Sequence, residues 1–225
     1  MLKDISLNIY NTIKKLNENS IIETYLGNKG YTIKKSNLSN NLITNIKKDL
    51  TIKPFNINAY NDVHSYPIYL ESDNKLYVPR FWGINYFGIP NSIKIENGKN
   101  INLKFVGNLR KEPVNQEEIV FTFLKNINFD ITKSLEENDK INKGNSCGLI
   151  ELKTGGGKTV IGLKILSLIS KKTIIFVHKS FLKDQWIERI QEFLPNAKIG
   201  IIQGPIIDVE DKDIVIAMIQ SISMK

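Results

Sequence analysis

The chain has 225 residues, of which 41% are hydrophobic, enough for a sizeable core. Its single cysteine excludes a disulfide framework and favours a reducing, intracellular compartment, and no apolar run approaches the roughly 20 residues of a membrane span. The formal net charge of +8 favours phosphate-bearing partners such as nucleic acid, although an AT-rich gene would also produce a lysine excess.

The N-terminal part, residues 1–104, is rich in asparagine and has short apolar runs, so we expect a small α+β module there. Met1 to Tyr10 lacks the apolar core of a signal peptide. A helix is predicted over residues 6–16, and short strands over 66–70 and 75–78. Four aromatic residues cluster around two glycines: Phe81, Trp82, Tyr86 and Phe87. We interpret them as a small core, with a base-stacking platform as the alternative.

The second part, residues 105–225, alternates helices with strands. Helices are predicted over 118–125, 158–170 and 181–194, and strands over 149–152, 173–177, 198–202 and 213–218. Residues 126–146 are polar and read as a loop or a ragged helix. Such alternation implies an α/β fold with a parallel sheet covered on both faces, and the β-branched strand 173–177 is expected to be buried on both faces.

The segment from Lys153 to Thr159 is predicted to bind phosphate. A strand, a glycine-rich turn and an apolar helix follow one another there. Gly155, Gly156 and Gly157 let the backbone approach an anion closely, at the positive end of the helix. Lys158 is placed to reach the β- and γ-phosphates of ATP as the catalytic cation, and Thr159 to ligate Mg²⁺. Lys153 and Thr154 complete the loop, although Leu152 departs from the glycine that the strict pattern requires.

Residues 152–159, L-K-T-G-G-G-K-T, resemble motif I of the superfamily 2 DEAD/DEAH-like helicases, and residues 174–186 resemble motif Ia. The resemblance implies an incomplete RecA-like first motor domain. It also implies nucleic-acid contacts at the ends of two strands, from His178, Lys179, Ser180, Gln220 and Ser221. We expect Ser180 to cap the following helix as well.

Residues 109–116 resemble the element that precedes motif I in this family, with more residues between its proline and its glutamine than is usual. The resemblance implies that Gln116 reads the adenine edge and that Arg110 stacks on the base. The segment 66–83 is similar to the part that precedes the motor in helicases of large nucleo-cytoplasmic DNA viruses, of the poxvirus transcript-release type. A viral protein of this kind is expected in the host cytoplasm or the virion.

The acidic motif II of the family is not found in residues 1–225, and neither is the second motor domain. The interpretation is therefore the front part of a helicase, expected to be inactive alone and to need a downstream helicase chain. Its unpaired sheet edge is expected to aggregate or to bind a partner. The alternatives are a non-catalytic nucleic-acid-binding remnant and, least favoured, another class of P-loop protein such as a small-molecule kinase.

Overall fold

The computed structural model describes residues 2–19, 22–53, 64–141 and 146–223. Their contacts divide the chain into two compact units, Met1–Glu96 and Asn97–Lys225. The first unit contains, in chain order, α1 (Leu2–Asn19), β1 (Thr24–Gly27), β2 (Gly30–Lys34), a 3-10 turn (Lys35–Asn37), α2 (Asn40–Asp49), β3 (Thr51–Ile52), β4 (Tyr66–Pro67), β5 (Leu70–Glu71), β6 (Lys75–Val78), α3 (Arg80–Phe87) and β7 (Ser92–Ile93). The second contains α4 (Gln116–Asn126), α5 (Leu135–Ile141), α6 (Lys158–Ile169), β8 (Thr173–Val177), α7 (Ser180–Phe193), β9 (Ile199–Gln203), β10 (Ile206–Ile207), β11 (Ile214–Met218) and α8 (Ile219–Ser223).

The first unit is built on a five-stranded sheet in the order β5-β6-β2-β1-β7. Its pairs are antiparallel except β1 with β7. Because side chains alternate along a strand, Tyr31 and Ile33 of β2 share a face with Leu76 and Val78 of β6. That face is buried with residues of α1 and α2 in one core.

The aromatic cluster belongs to this core, as the first interpretation predicted. Trp82, Tyr86 and Phe87 pack against the buried residues, and the indole nitrogen of Trp82 donates a hydrogen bond to Asp49 over 2.8 Å. Only Phe81 departs from this arrangement within the cluster, with 44% of its surface exposed. The cluster therefore contributes to the core of the unit, and the base-stacking alternative stays a prediction.

The second unit is built on a four-stranded sheet in the order β10-β9-β11-β8. The strands β9, β11 and β8 are parallel, and β10 returns antiparallel to β9. Helices α6 and α7 bury their apolar residues against β11 in a second core. A third core joins α4 to α6. The predicted mixed α/β architecture with a parallel sheet is thus present.

Four details differ from the sequence prediction. The single strand predicted over residues 66–70 is divided into β4, which pairs with β3, and β5, which pairs with β6. Residues 149–152 form no strand, because no described strand lies beside them to pair with, and Leu149 is 93% exposed. Strand β8 is not buried on both faces, since Ile174 and Phe176 are 45% and 55% exposed. Residues 97–104 belong to the second unit, in whose core Leu103 is buried, although the prediction assigned them to the N-terminal module. Among the described residues, no helix is long and apolar enough to cross a membrane.

Candidate functional site

The glycine-rich loop before α6 has the backbone shape that anion binding needs. Gly155 and Gly157 have φ angles of +81° and +84°, which side chains other than glycine rarely tolerate. The amide of Gly156 donates to the carbonyl of Lys153 over 3.1 Å and closes the turn. Helix α6 begins directly afterwards at Lys158. The first amides of a helix have no partner within it, so they are available to an anion.

One side of the loop is packed and the other is open. A Cβ atom on Gly157 would lie 2.2 Å from Nε2 of Gln116, whereas a Cβ on Gly155 would meet nothing within 4 Å. The loop is therefore supported from behind, with free space in front of Gly155. That arrangement fits a phosphate group held against the backbone.

Lys158 is exposed, and its side chain folds over the loop. Its ammonium group donates to the carbonyl of Leu152 and, over 3.2 Å, to that of Lys153. Neutral carbonyls are weaker partners than a charged phosphate, so the ammonium group can exchange them for an anion. Thr159 follows in the first turn of α6, half-buried beside the same loop.

Gln116 and Arg110 both contact the loop, and Gln116 does so in a way that the sequence did not predict. It is 2% exposed, its amide oxygen accepts from the backbone of Arg110 over 2.9 Å, and its amide nitrogen donates to Gly156 over 3.1 Å. The guanidinium of Arg110 donates to the carbonyl of Gly155 over 3.1 Å. In this structure both residues hold the loop, and the reading of an adenine edge by Gln116 and the stacking of Arg110 stay predictions.

A second cluster lies where β8, β9 and β11 end. His178 and Lys179 follow β8, and Gln220 and Ser221 follow β11 in α8. The side chain of Gln220 donates to the carbonyl of His178 over 2.8 Å, and the amide of Gly204 donates to the hydroxyl of Ser221 over 2.8 Å. The residues predicted to contact nucleic acid are thus gathered at the carboxyl edge of one parallel sheet, where such sheets bind ligands.

Two residues of this cluster differ from the prediction. Ser180 is the first residue of α7 and not its cap, since the capping position is occupied by Lys179, whose side chain makes no capping hydrogen bond. Phe181, the first residue of the helix predicted over 181–194, is 60% exposed with the ammonium of Lys179 5.9 Å from its ring centre. Sequence reasoning missed it because the first turn of a helix projects beyond the core that periodicity describes.

The family model described as "Type III restriction enzyme, res subunit" matches residues 95–225, more than half of the chain. The chain belongs to this family. The predicted relationship to superfamily 2 helicases is therefore confirmed.

A protein of Acanthamoeba polyphaga mimivirus named "Putative ATP-dependent RNA helicase" is 29% identical over 208 residues, which cover 90% of this chain and 36% of that protein. A DNA 3'-5' translocase of Sulfurisphaera tokodaii is 46% identical over 57 residues, which cover 25% of this chain and 13% of that protein. The chain thus spans about a third of the viral relative, and its resemblance to helicases of large DNA viruses is confirmed.

Proposed function

We propose that this chain is the ATP-binding part of a superfamily 2 helicase that couples ATP hydrolysis to movement along a nucleic-acid strand. The observation that carries the proposal is the glycine loop at the start of α6, held from behind by Gln116 and Arg110, in a member of this family. Helicase membership supports ATP use in general, and the shape of the loop supports our proposal that its residues bind the nucleotide.

The nucleotide is proposed to bind with its phosphates against Lys153 to Gly157. Backbone amides of the loop and of the first turn of α6 donate to the phosphate oxygens. Lys158 leaves the carbonyls of Leu152 and Lys153 and pairs with the β- and γ-phosphates. The hydroxyl of Thr159 is the proposed ligand of Mg²⁺, which when bound would neutralise phosphate charge.

The nucleic acid is proposed to bind at the carboxyl edge formed by His178, Lys179, Ser180, Gln220 and Ser221. The lysine supplies charge, and the exposed amides at the start of α7 can donate to a phosphate of the strand. We propose RNA as the strand, because the relative whose name describes an RNA helicase aligns over 90% of the chain, whereas the DNA translocase aligns over 25%.

A further helicase segment is proposed to pair with β8. This strand pairs with β11 on one side, and no described strand lies on its other side. Its exposed Ile174 and Phe176 offer an apolar surface to such a partner. The partner would supply the acidic motif that activates water in this family. The localisation proposed with this reading is the host cytoplasm or the virion.

The nucleotide assignment is tested by titrating a fluorescent ATP analogue in the presence of Mg²⁺. Lys158→Ala is expected to weaken binding at least tenfold, because a charge-assisted contact contributes on the order of 1.5–3 kcal/mol. Lys164→Ala is the matched control, since Lys164 lies on the same helix with its ammonium 5.1 Å from the ring centre of Phe105. Equal affinities for Lys158→Ala and the unmodified chain would contradict the assignment.

Titrations of the same protein preparation distinguish this proposal from the alternative, a nucleic-acid-binding module that does not bind nucleotide. It would bind RNA with a steep salt dependence while showing no affinity for the ATP analogue.

A further inference from the structure

The sheet of the first unit has a second face, opposite the one that α1 and α2 cover. The strand register places Tyr77 of β6 opposite Thr32 of β2, and Thr32 opposite Tyr25 of β1. These three residues therefore form one row across the sheet, on the face that alternates with the buried Tyr31 and Ile33. Thr32 is 1% exposed, while both tyrosines are partly accessible.

The ring of Tyr25 lies along the sheet instead of standing away from it. Gly27, two residues further in the same strand, has no side chain, and a Cβ there would lie 3.1 Å from Cε2 of Tyr25. The missing side chain leaves the space that the ring occupies. The ring therefore leans over Gly27, and Tyr25 remains partly accessible.

Lysines surround the two rings. The ammonium group of Lys94 lies 4.1 Å from the ring centre of Tyr25 and that of Lys75 lies 5.6 Å from it, and the ammonium of Lys29 lies 5.2 Å from the ring centre of Tyr77. Within the described parts of the chain, none of these three lysines is ion-paired with a carboxylate, unlike Lys34 of β2, which is paired with Glu23, the residue before β1.

The electrostatics of Tyr25 reflect this setting. Burial raises the pKa of its phenol, but the hydrogen bonds with Lys75 and Thr32 and the positive charges of Lys75 and Lys94 outweigh that effect and leave the pKa below its usual range. The face is therefore electropositive around an accessible aromatic ring. Contacts with the rings offset part of the repulsion among these lysines, and an anionic ligand would neutralise the charge that remains.

We propose that this face, defined by Tyr25, Tyr77, Lys29, Lys75 and Lys94, binds single-stranded RNA. Bases stack on the two rings and phosphates replace the rings as partners of the lysines. The rings stand two strands apart, about 10 Å, so each takes its own base. Because stacking accepts any base, the face is a binding site without sequence preference. It consists of residues other than those at the carboxyl edge in the second unit. The choice of RNA rests on the proposed function.

The test uses the full chain and a fluorescein-labelled oligouridine of about 12 nucleotides, a length within the range of single-strand sites, followed by fluorescence anisotropy. Tyr25→Ala and Tyr77→Ala are each expected to weaken binding at least about fivefold, the lower end of the loss for a stacked base. Tyr25→Phe and Tyr77→Phe retain the ring and are expected to bind normally. Tyr66→Ala is the matched control, because Tyr66 is 56% exposed on β4.

The lysines are tested through the salt dependence of the same titration. Lys75→Gln and Lys94→Gln are each expected to reduce the slope of log affinity against log salt by about 0.7, the value for one phosphate of a single strand. Lys48→Gln carries the same charge change on α2, which packs on the opposite face, and is expected to leave the slope unchanged. Lys94→Glu changes an exposed side chain, so it keeps the test valid where a tyrosine variant fails to fold.

Failure of this proposal is distinguishable from failure of the proposed function, because ATP-analogue affinity is measured on the same samples. Loss of RNA affinity in Tyr25→Ala with unchanged analogue affinity supports the face. RNA affinity that is equal in Tyr25→Ala, Tyr77→Ala and Lys94→Glu to that of the unmodified chain overturns it. Photo-crosslinks from 4-thiouridine found only in residues 97–225, or tighter binding of the matching DNA oligonucleotide, overturn it as well.

Discussion

Gly157 is the loop residue whose lack of a side chain matters most. A methyl group there would collide with Gln116 and would force an alanine to adopt a φ of +84°. Gly157→Ala is therefore expected to weaken ATP-analogue binding at least tenfold and to destabilise the second unit by about 1–3 kcal/mol.

Gly162→Ala is the control for this substitution. Gly162 lies inside α6, and its added Cβ would approach Trp186 to an ordinary 3.7 Å. Alanine is expected to stabilise the helix there by up to about 1 kcal/mol without changing nucleotide affinity. Urea unfolding and analogue titration measure both effects, and a Gly157→Ala variant that binds like the unmodified chain would refute the packing argument.

The loop residues could be predicted from sequence because their chemistry is local. Three glycines followed by Lys158 and Thr159 specify a turn that opens a helix. The contact between Gln116 and Gly156 spans 40 residues of chain and has no local signal. The exposure of Phe181 was missed for a related reason, because helical periodicity does not say where the covering core ends.

At the scale of the secondary-structure elements, the ion pairs of Glu71 connect β5 to α2 and to the 3-10 turn. The Glu71 carboxylate accepts from Lys47 of α2 over 2.7 Å and from Lys35 of the 3-10 turn over 2.9 Å. These hydrogen bonds hold the pKa of the carboxyl below its usual range. Because the folded pKa is depressed, the stabilisation is complete above the unfolded value, about 4.3, and is lost as the pH falls through the folded value.

Glu71→Gln is accordingly expected to lower the melting temperature at pH 7 and to have no effect at a pH below both values. The effect at pH 7 is expected to stay below about 1 kcal/mol, since the side chain is 39% exposed and solvent screens the pairs. Glu23→Gln removes a single, more exposed pair and serves as the comparison. Scanning calorimetry at the two pH values measures the difference, and an equal deficit at both would contradict the ionic explanation.

Helices and strands were predictable where periodicity and local contacts agree. The strand 173–177 was predicted with its correct bounds, and α6 and α7 to within one residue at each end. Residues 149–152 have a strand-like composition but no neighbour to bond with, and a strand exists only when its backbone groups pair with another. Composition also predicted burial of β8 on both faces, which its exposed Ile174 and Phe176 contradict.

At the scale of the whole molecule, the exposed side of β8 predicts association. The unpaired backbone N–H and C=O groups of an edge strand are a template for pairing, and exposed apolar side chains on that strand favour association. Phe176→Lys is expected to lower the concentration-dependent self-association of the chain in sedimentation velocity experiments. Phe121→Lys, at a comparably exposed phenylalanine of α4, is the control. A chain that stays monomeric at all concentrations without either substitution would contradict this prediction.

The sequence changes in character along the chain, from asparagine-rich to alternating helices and strands, and the contacts divide the chain after Glu96. The position of the division was not predictable, since residues 97–104 carry no signal that they contact the second unit. There the amide of Ile101 donates to the carbonyl of Ser170 over 2.9 Å. The paired tyrosines of the first unit were also invisible in the sequence, because strand register alone places them in one row.

The hydrogen bond between Gln116 and Gly156 bears on the order in which the nucleotide site forms during folding. Because Gln116 of α4 is hydrogen-bonded to Gly156 of the loop, we expect the loop to take its binding shape only after α4 has docked beside α6. During refolding from denaturant, recovery of nucleotide affinity would therefore follow the formation of helix and trail behind it. The rate at which affinity for the analogue recovers would then report how fast α4 packs beside α6.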